Sequence, residues 1–178
     1  MQLAGLLRNK KLRIILIIAA LFLLISTAYH LYLLLGPRQA HYPLALSQSL
    51  ARERVGGIML GQSIKSIMPP PTLRPDKVIY DYYDAGKGII VVTPHGKDVI
   101  IRIILSANAD PARTTARGIG INGSLDQITK LYGNSCYRRN EQGATILGFI
   151  DKTAMQTLEF WLFDDRVTMI RLDLADMS

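Results

Sequence analysis

Residues 14–35, IILIIAALFLLISTAYHLYLLL, contain no Asp, Glu, Lys or Arg. As a helix, a run of this length rises about 33 Å, enough to cross the ~30 Å hydrocarbon layer of a bilayer. Fourteen of its residues are Leu, Ile or Phe, each favouring insertion by up to roughly 0.3–0.6 kcal/mol near the centre. His30 lies near the distal end beside Tyr29 and Tyr32, where interfacial side chains are tolerated, so it does not offset that sum. A chain with such a segment is expected to place it in lipid and to divide the rest between two compartments. Arg8, Lys10, Lys11 and Arg13 precede the run with no acid among them, and positive flanks stay inside. Residues 1–13 are therefore expected as a cytoplasmic basic tail and 14–35 as a single-pass signal anchor, with the remainder extracytoplasmic. Two alternatives stand beside the anchor. Ser26-Thr27-Ala28 offers small residues for signal-peptide cleavage, although the apolar run resumes at Leu31; a buried core helix is the other.

The anchor changes how charge is read. The chain carries +7, from 21 basic and 14 acidic residues, but four of the basic residues belong to the tail. The exported part keeps 17 basic against 14 acidic, about +3, which excludes the electrostatic footprint of a nucleic-acid surface. Cys136 is the sole cysteine, so no internal disulfide forms.

Beyond the anchor, residues 36–55 read as a polar, basic juxtamembrane spacer with helical character over Leu44–Glu53. Then one pattern occurs twice. GIMLGQSIKSI at 57–67 and GIGINGSLDQI at 118–128 align at a spacing of 61, matching Gly57 with Gly118, Ser63 with Ser124 and Ile67 with Ile128. Downstream, Ile89, Val91 and Thr93 align with Leu158, Phe160 and Leu162 at a spacing of 69. Ile101, Ile103 and Leu105 align with Ile170, Leu172 and Leu174 at the same spacing. Each copy implies a short extended entry, a helix capped by Ser63 or Ser124, and strands in a meander. Copy two has Leu125, Ile128 and Leu131 at helical spacing and Gly133 as a stop. In copy one Pro69-Pro70-Pro71 ends the helix after about a turn and a half. Alternating apolar residues predict strands over 77–83, 88–93 and 98–105, and over 144–150, 157–163 and 166–173. Hairpin turns are expected at Pro94-His95-Gly96-Lys97 and Asp164-Asp165. The expected class is α+β: one N-terminal transmembrane helix, repeat 1 at 56–105, a linker at 106–117 and repeat 2 at 118–174.

Gly118, Gly120 and Gly123 spell the dinucleotide fingerprint G-x-G-x-x-G, but its context is wrong. The preceding DPARTTAR is no buried strand, and the strands that follow are hairpin-linked and antiparallel. No nucleotide or other cofactor and no metal site are expected. No G-x-S-x-G, H-E-x-x-H or P-loop occurs, and the chain is not read as an enzyme. Asp81 and Asp84 are three apart on a strand and point to opposite faces. His41 and His95 have no His or Cys at ligand spacing, and Cys136 has no nearby His. Two groups are candidates for binding. Tyr80, Tyr82 and Tyr83 stand beside a Gly-rich turn and suit an interface. Arg113, Arg117, Arg138 and Arg139 form a basic group suited to an anionic envelope polymer or lipid head groups.

The pattern G-I-x-[LI]-x-x-S-[LI]-x-x-I, followed by L-Y-G and strands ending in V-x-x-I, is carried here by Gly118-Ile119, Ser124, Ile128, Leu131-Tyr132-Gly133 and Val167-x-x-Ile170. It resembles the tandem α/β repeats of Gram-positive surface-anchored proteins, a region that often precedes a CAP domain. It is also similar to small outer-membrane lipoproteins and β-lactamase-inhibitor-like folds. Copy one fits less well, since its helix runs into Pro69; no CAP domain follows and no lipobox cysteine is present. The resemblance implies a non-catalytic scaffold facing the cell envelope. With the anchor, it points to a membrane-bound extracytoplasmic binding or scaffold protein with a protein or anionic envelope partner. The alternative is an extracytoplasmic small-ligand sensor or regulator.

Overall fold

The computed structural model describes residues 10–35, 38–74 and 79–174. Arg8, Gly36-Pro37 and the expected start of a strand at Lys77 lie outside them. The chain divides into two units, Met1–Gly36 and Pro37–Ser178. In the first, helix α1 (Lys10–Leu35) runs for 26 residues, about 39 Å. It is long and apolar enough to cross a membrane, and none of that span is buried in protein.

The second unit is α+β, built on one antiparallel sheet. Its strands are β1 (Thr72–Arg74), β2 (Tyr80–Asp84), β3 (Ile89–Pro94), β4 (Arg102–Leu105), β5 (Tyr137–Glu141), β6 (Ala144–Asp151), β7 (Gln156–Phe163) and β8 (Arg166–Leu174). The spatial order is β1-β2-β3-β4-β8-β7-β6-β5. Two four-stranded meanders thus join edge to edge through β4 and β8, with Arg102 opposite Asp173 and Ile103 opposite Leu172. The β7–β8 turn is Asp164-Asp165, with φ of 49° and 57°. Two successive left-handed residues give the turn whose twist suits a two-residue hairpin.

One face of the sheet carries the main core. Phe149, Phe160 and Tyr132 pack ring against ring at 5.1–6.0 Å, with Val91, Ile103, Leu158, Ile170 and Leu172 fully buried around them. Helix α2 (Leu125–Tyr132) lies over this face. It starts at a capping box: Ser124 Oγ accepts from the Gln127 N–H, and Gln127 Oε1 accepts from the Ser124 N–H. Gly133 at φ 81° ends it. Leu131 is 42% exposed, while Tyr132 is buried. At about 100° per residue, positions 125, 128 and 132 fall within one narrow stripe and position 131 falls outside it, so Tyr132 takes the core place expected of Leu131.

The first half differs more from expectation. Ser63 does cap, accepting from the Lys65 N–H, but only a single 3₁₀ turn follows, Ile64–Ser66. Ile67 is already extended, and prolines from 69 onward supply no N–H to continue a helix. No helix forms over 44–53. Residues 38–55, expected as a spacer, pack into the second unit. They begin with a 3₁₀ turn, Arg38–His41, and bury Leu50, Glu53 and Val55. The Glu53 carboxylate takes the Tyr132 hydroxyl at 3.0 Å and the Ala116 N–H at 2.7 Å, so this stretch is held by tertiary contacts rather than by helical ones. Strands β1 and β5 were not expected. Strand β5, YRRNE, is polar, yet its side chains alternate buried and exposed.

The two halves share backbone geometry. Gly57 and Gly118 both have φ of 90°. The Gly61 N–H donates to Ile100 O, and the Asn122 N–H to Val167 O. The Ile100 N–H donates to Gln62 O, and the Val167 N–H to Gly123 O. Val91 pairs with Ile103 as Phe160 pairs with Ile170. These pairs align Ile103 with Ile170 rather than with Leu172, because the second hairpin is two residues shorter.

Candidate partner-binding face

The strand registers lay out the opposite face of the sheet in rows. One row runs Asp84, Ile90, Ile104, Arg171, Glu159, Gly148, Tyr137. The next runs Arg74, Tyr82, Val92, Arg102, Asp173, Thr157. A third holds Met169, Trp161, Ile146 and Arg139. Polar residues at alternate positions of otherwise apolar strands are thereby gathered into one network.

Two carboxylates anchor it, both 0% exposed. Glu159 accepts from the Tyr137 hydroxyl at 2.5 Å, Arg171 Nη2 at 2.5 Å, Arg139 Nη2 at 3.2 Å and the Trp161 indole at 3.3 Å. Asp173 accepts from Arg102 Nε at 2.7 Å and from Arg38. Arg171 Nε lies 3.2 Å from Asp173 but is not aligned to donate. Glu141 pairs with Arg139. Burial alone would push the Glu159 carboxyl up; the charges of Arg171 and Arg139 more than reverse this, leaving it below its ordinary value. His41 stacks on the Tyr137 ring at 4.7 Å. Burial, then Arg139, holds its imidazole below the usual range. The Tyr137 ring lies across Gly148, where an added Cβ would come within 1.9 Å of Tyr137 Cζ. Gly148→Ala should therefore displace the ring from Glu159 and His41 and destabilise the unit by about 1–3 kcal/mol, read as a lower urea midpoint of the full chain in detergent.

Around this network the face presents half-buried apolar groups. Tyr80, Tyr82, Ile90 and Leu174 pack on Val92 and Ile101. Trp161 lies between Arg139 and Arg171, whose guanidinium carbons stand 5.5 and 5.4 Å from its ring. Tyr82 and Arg102 stand in the same row of this face.

The seven residues singled out from the sequence are dispersed. Tyr80, Tyr82 and Arg139 share this face; Tyr83, one residue on, packs against the main core. Arg138 is exposed on the side of β5 away from Arg139. Arg117 stacks on Tyr132 at 4.5 Å and donates to Leu131 O and Ser49 O. Arg113 donates to Gly56 O. Arg38, Arg102, Glu159, Trp161, Arg171 and Asp173 were missed, though the charges inside TLEFWLF and RLDL were a readable signal.

The two acids of the DYYD stretch are engaged locally. Asp81 accepts from His95 and the Gly96 N–H, Asp84 from Arg74 and the Gly86 N–H. Burial raises the Cys136 thiol, the reverse of what an activated nucleophile needs. Among the described residues no three His, Cys, Asp or Glu stand close enough to hold a metal. The glycines at 120 and 123 serve close backbone packing: a Cβ there would meet Arg113 O at 3.1 Å and Gly120 O at 3.0 Å. A cleft of about 390 Å³ beside Gly56, Ile58, Gln62 and Arg113 has its polar groups tied to its own loops, Gln62 to the Met59 N–H and Arg113 to Gly56 O.

Fold and face together define an α+β protein with one helix fit to cross a membrane and an antiparallel sheet backed by a short helix on one face. No protein-family model matches the chain, and neither a curated protein nor a solved structure matches it.

Proposed function

We propose that this chain is a single-pass membrane protein of the bacterial cell envelope whose extracytoplasmic unit binds a protein partner without catalysis. The amino terminus is cytoplasmic, and the unit is a duplicated module, a serine-capped turn in the first copy and a helix in the second, each followed by a meander, joined through β4 and β8. The shared hydrogen bonds and glycine geometry of the two halves support the duplication. One observation carries the binding reading: half-buried Tyr80, Tyr82, Ile90, Ile104, Met169 and Trp161 line the sheet face opposite the core. Aromatic and arginine side chains held rigid by buried carboxylates meet a partner with little entropy left to lose.

The test is a photo-crosslinking residue at position 82 or 169 in native membranes, with position 131 on the helix side as reference. The same species should be captured from both face positions and lost when Ile104→Glu is added. Capture from 82 and 169 no stronger than from 131 would remove the assignment.

A further inference from the structure

The surface formed by residues 42–48 and the β6–β7 turn has its own chemistry. Leu44, Leu46 and Met155 are 62%, 68% and 51% exposed, and three ties bring them onto one platform. The Tyr42 hydroxyl donates to Met155 Sδ at 3.4 Å, Lys152 Nζ to Pro43 O at 3.2 Å, and the Lys152 N–H to Ser47 Oγ at 3.0 Å. The Gln48 N–H bonds Ile150 O at 2.8 Å, adding residues 47–48 to the edge of the β6–β7 hairpin. The apolar tips are thus preformed on a rigid support.

Charge and chain length both say what covers them. Lys152 is exposed beside the leucines. Asp151, the adjacent acid, is buried, with its oxygens taken by the N–H groups of Leu50, Thr153 and Ala154. The patch therefore shows a cation whose neighbouring acid is buried and already occupied. Leu44 follows the last residue of α1 by nine positions, a reach of at most about 30 Å, shortened by the 3₁₀ turn at Arg38–His41. With α1 in a bilayer, that tether keeps Leu44 within about 30 Å of the helix end, within reach of the head groups.

We propose that Leu44, Leu46 and Met155, with Lys152 beside them, form a lipid-docking surface that enters the head-group region of an anionic bilayer. This rests on the membrane anchoring by α1 proposed above and is independent of the partner bound by the sheet face. Single cysteines at 44, 46 and 155, in a Cys136→Ser background, would be spin-labelled in the full chain reconstituted into phosphatidylethanolamine–phosphatidylglycerol vesicles. Labels at 24, inside α1, and at 73, on the outermost strand, are the lipid and water references. Collision with oxygen and with a water-soluble nickel complex reports depth. The three patch labels should be several-fold less accessible to nickel than the label at 73, and Lys152→Glu should raise that accessibility. Patch labels as aqueous as position 73, with position 24 in lipid, overturn the docking surface and leave the anchor standing. An aqueous label at 24 overturns both. Patch labels shielded from nickel and oxygen alike mean that protein covers them, which also overturns the proposal.

Discussion

Glu159→Gln should lower the stability of the second unit by about 3–5 kcal/mol, the range found when one partner of a buried ion pair is removed. Glutamine keeps the size and one acceptor, but it leaves Arg139 and Arg171 without the charge that compensates their burial. Arg139 is 3% exposed and Glu159 not at all, so solvent cannot substitute. Urea unfolding of the full chain in detergent measures this, and an unchanged midpoint would show that the network is not energetically coupled. The same variant tests the pH dependence. Glu159 titrates below its ordinary value in the folded state, so its stabilisation is complete above about pH 4.3 and is lost as pH falls through the folded value. His41 is also lowered; its neutral form is favoured by folding, and that contribution fades as pH falls below about 6.5. Acid should therefore destabilise the wild type in two stages. Glu159→Gln should shrink the lower stage, to which Asp81, Asp84, Asp110 and Asp151 also contribute through their lowered carboxyls, and keep the upper one; loss of both together would contradict the assignment.

Phe160→Ala should cost about 3–5 kcal/mol as well, by a different route. Its ring is fully buried and touches Tyr132 of the helix and Phe149 of the neighbouring strand at 5.1 and 6.0 Å. Truncation removes apolar area and leaves a cavity that two backbone-anchored rings cannot collapse into. Because these contacts hold α2 on the sheet, loss of midpoint should come with weakened helix protection in amide exchange. Retained protection over residues 125–132 would mean the helix is held by its capping box and the 117–132 contacts instead.

Six strands were legible because their apolar residues alternate, and α2 was legible because Ser124 and Gly133 bracket a helical period. Strand β5 was not, since Tyr137 and Arg139 look like solvent-seeking residues until Glu159 of β7 takes the Tyr137 hydroxyl and pairs with Arg139. Residues 38–55 misled for the same reason: Glu53 and Arg38 are polar in sequence and buried in the fold. The tyrosines were read as one group, but strand alternation sends Tyr83 to the main core and Tyr82 to the other face.

By itself the sequence determined the helix fit for a membrane, the α+β class and the hairpins, because insertion length, periodicity and turn chemistry are local properties. The tertiary structure decided that the halves meet through β4 and β8 and that five charged side chains from four strands, Arg102, Arg139, Glu159, Arg171 and Asp173, share one buried network. Pairing register and charge compensation arise only between distant segments, and no local pattern encodes them.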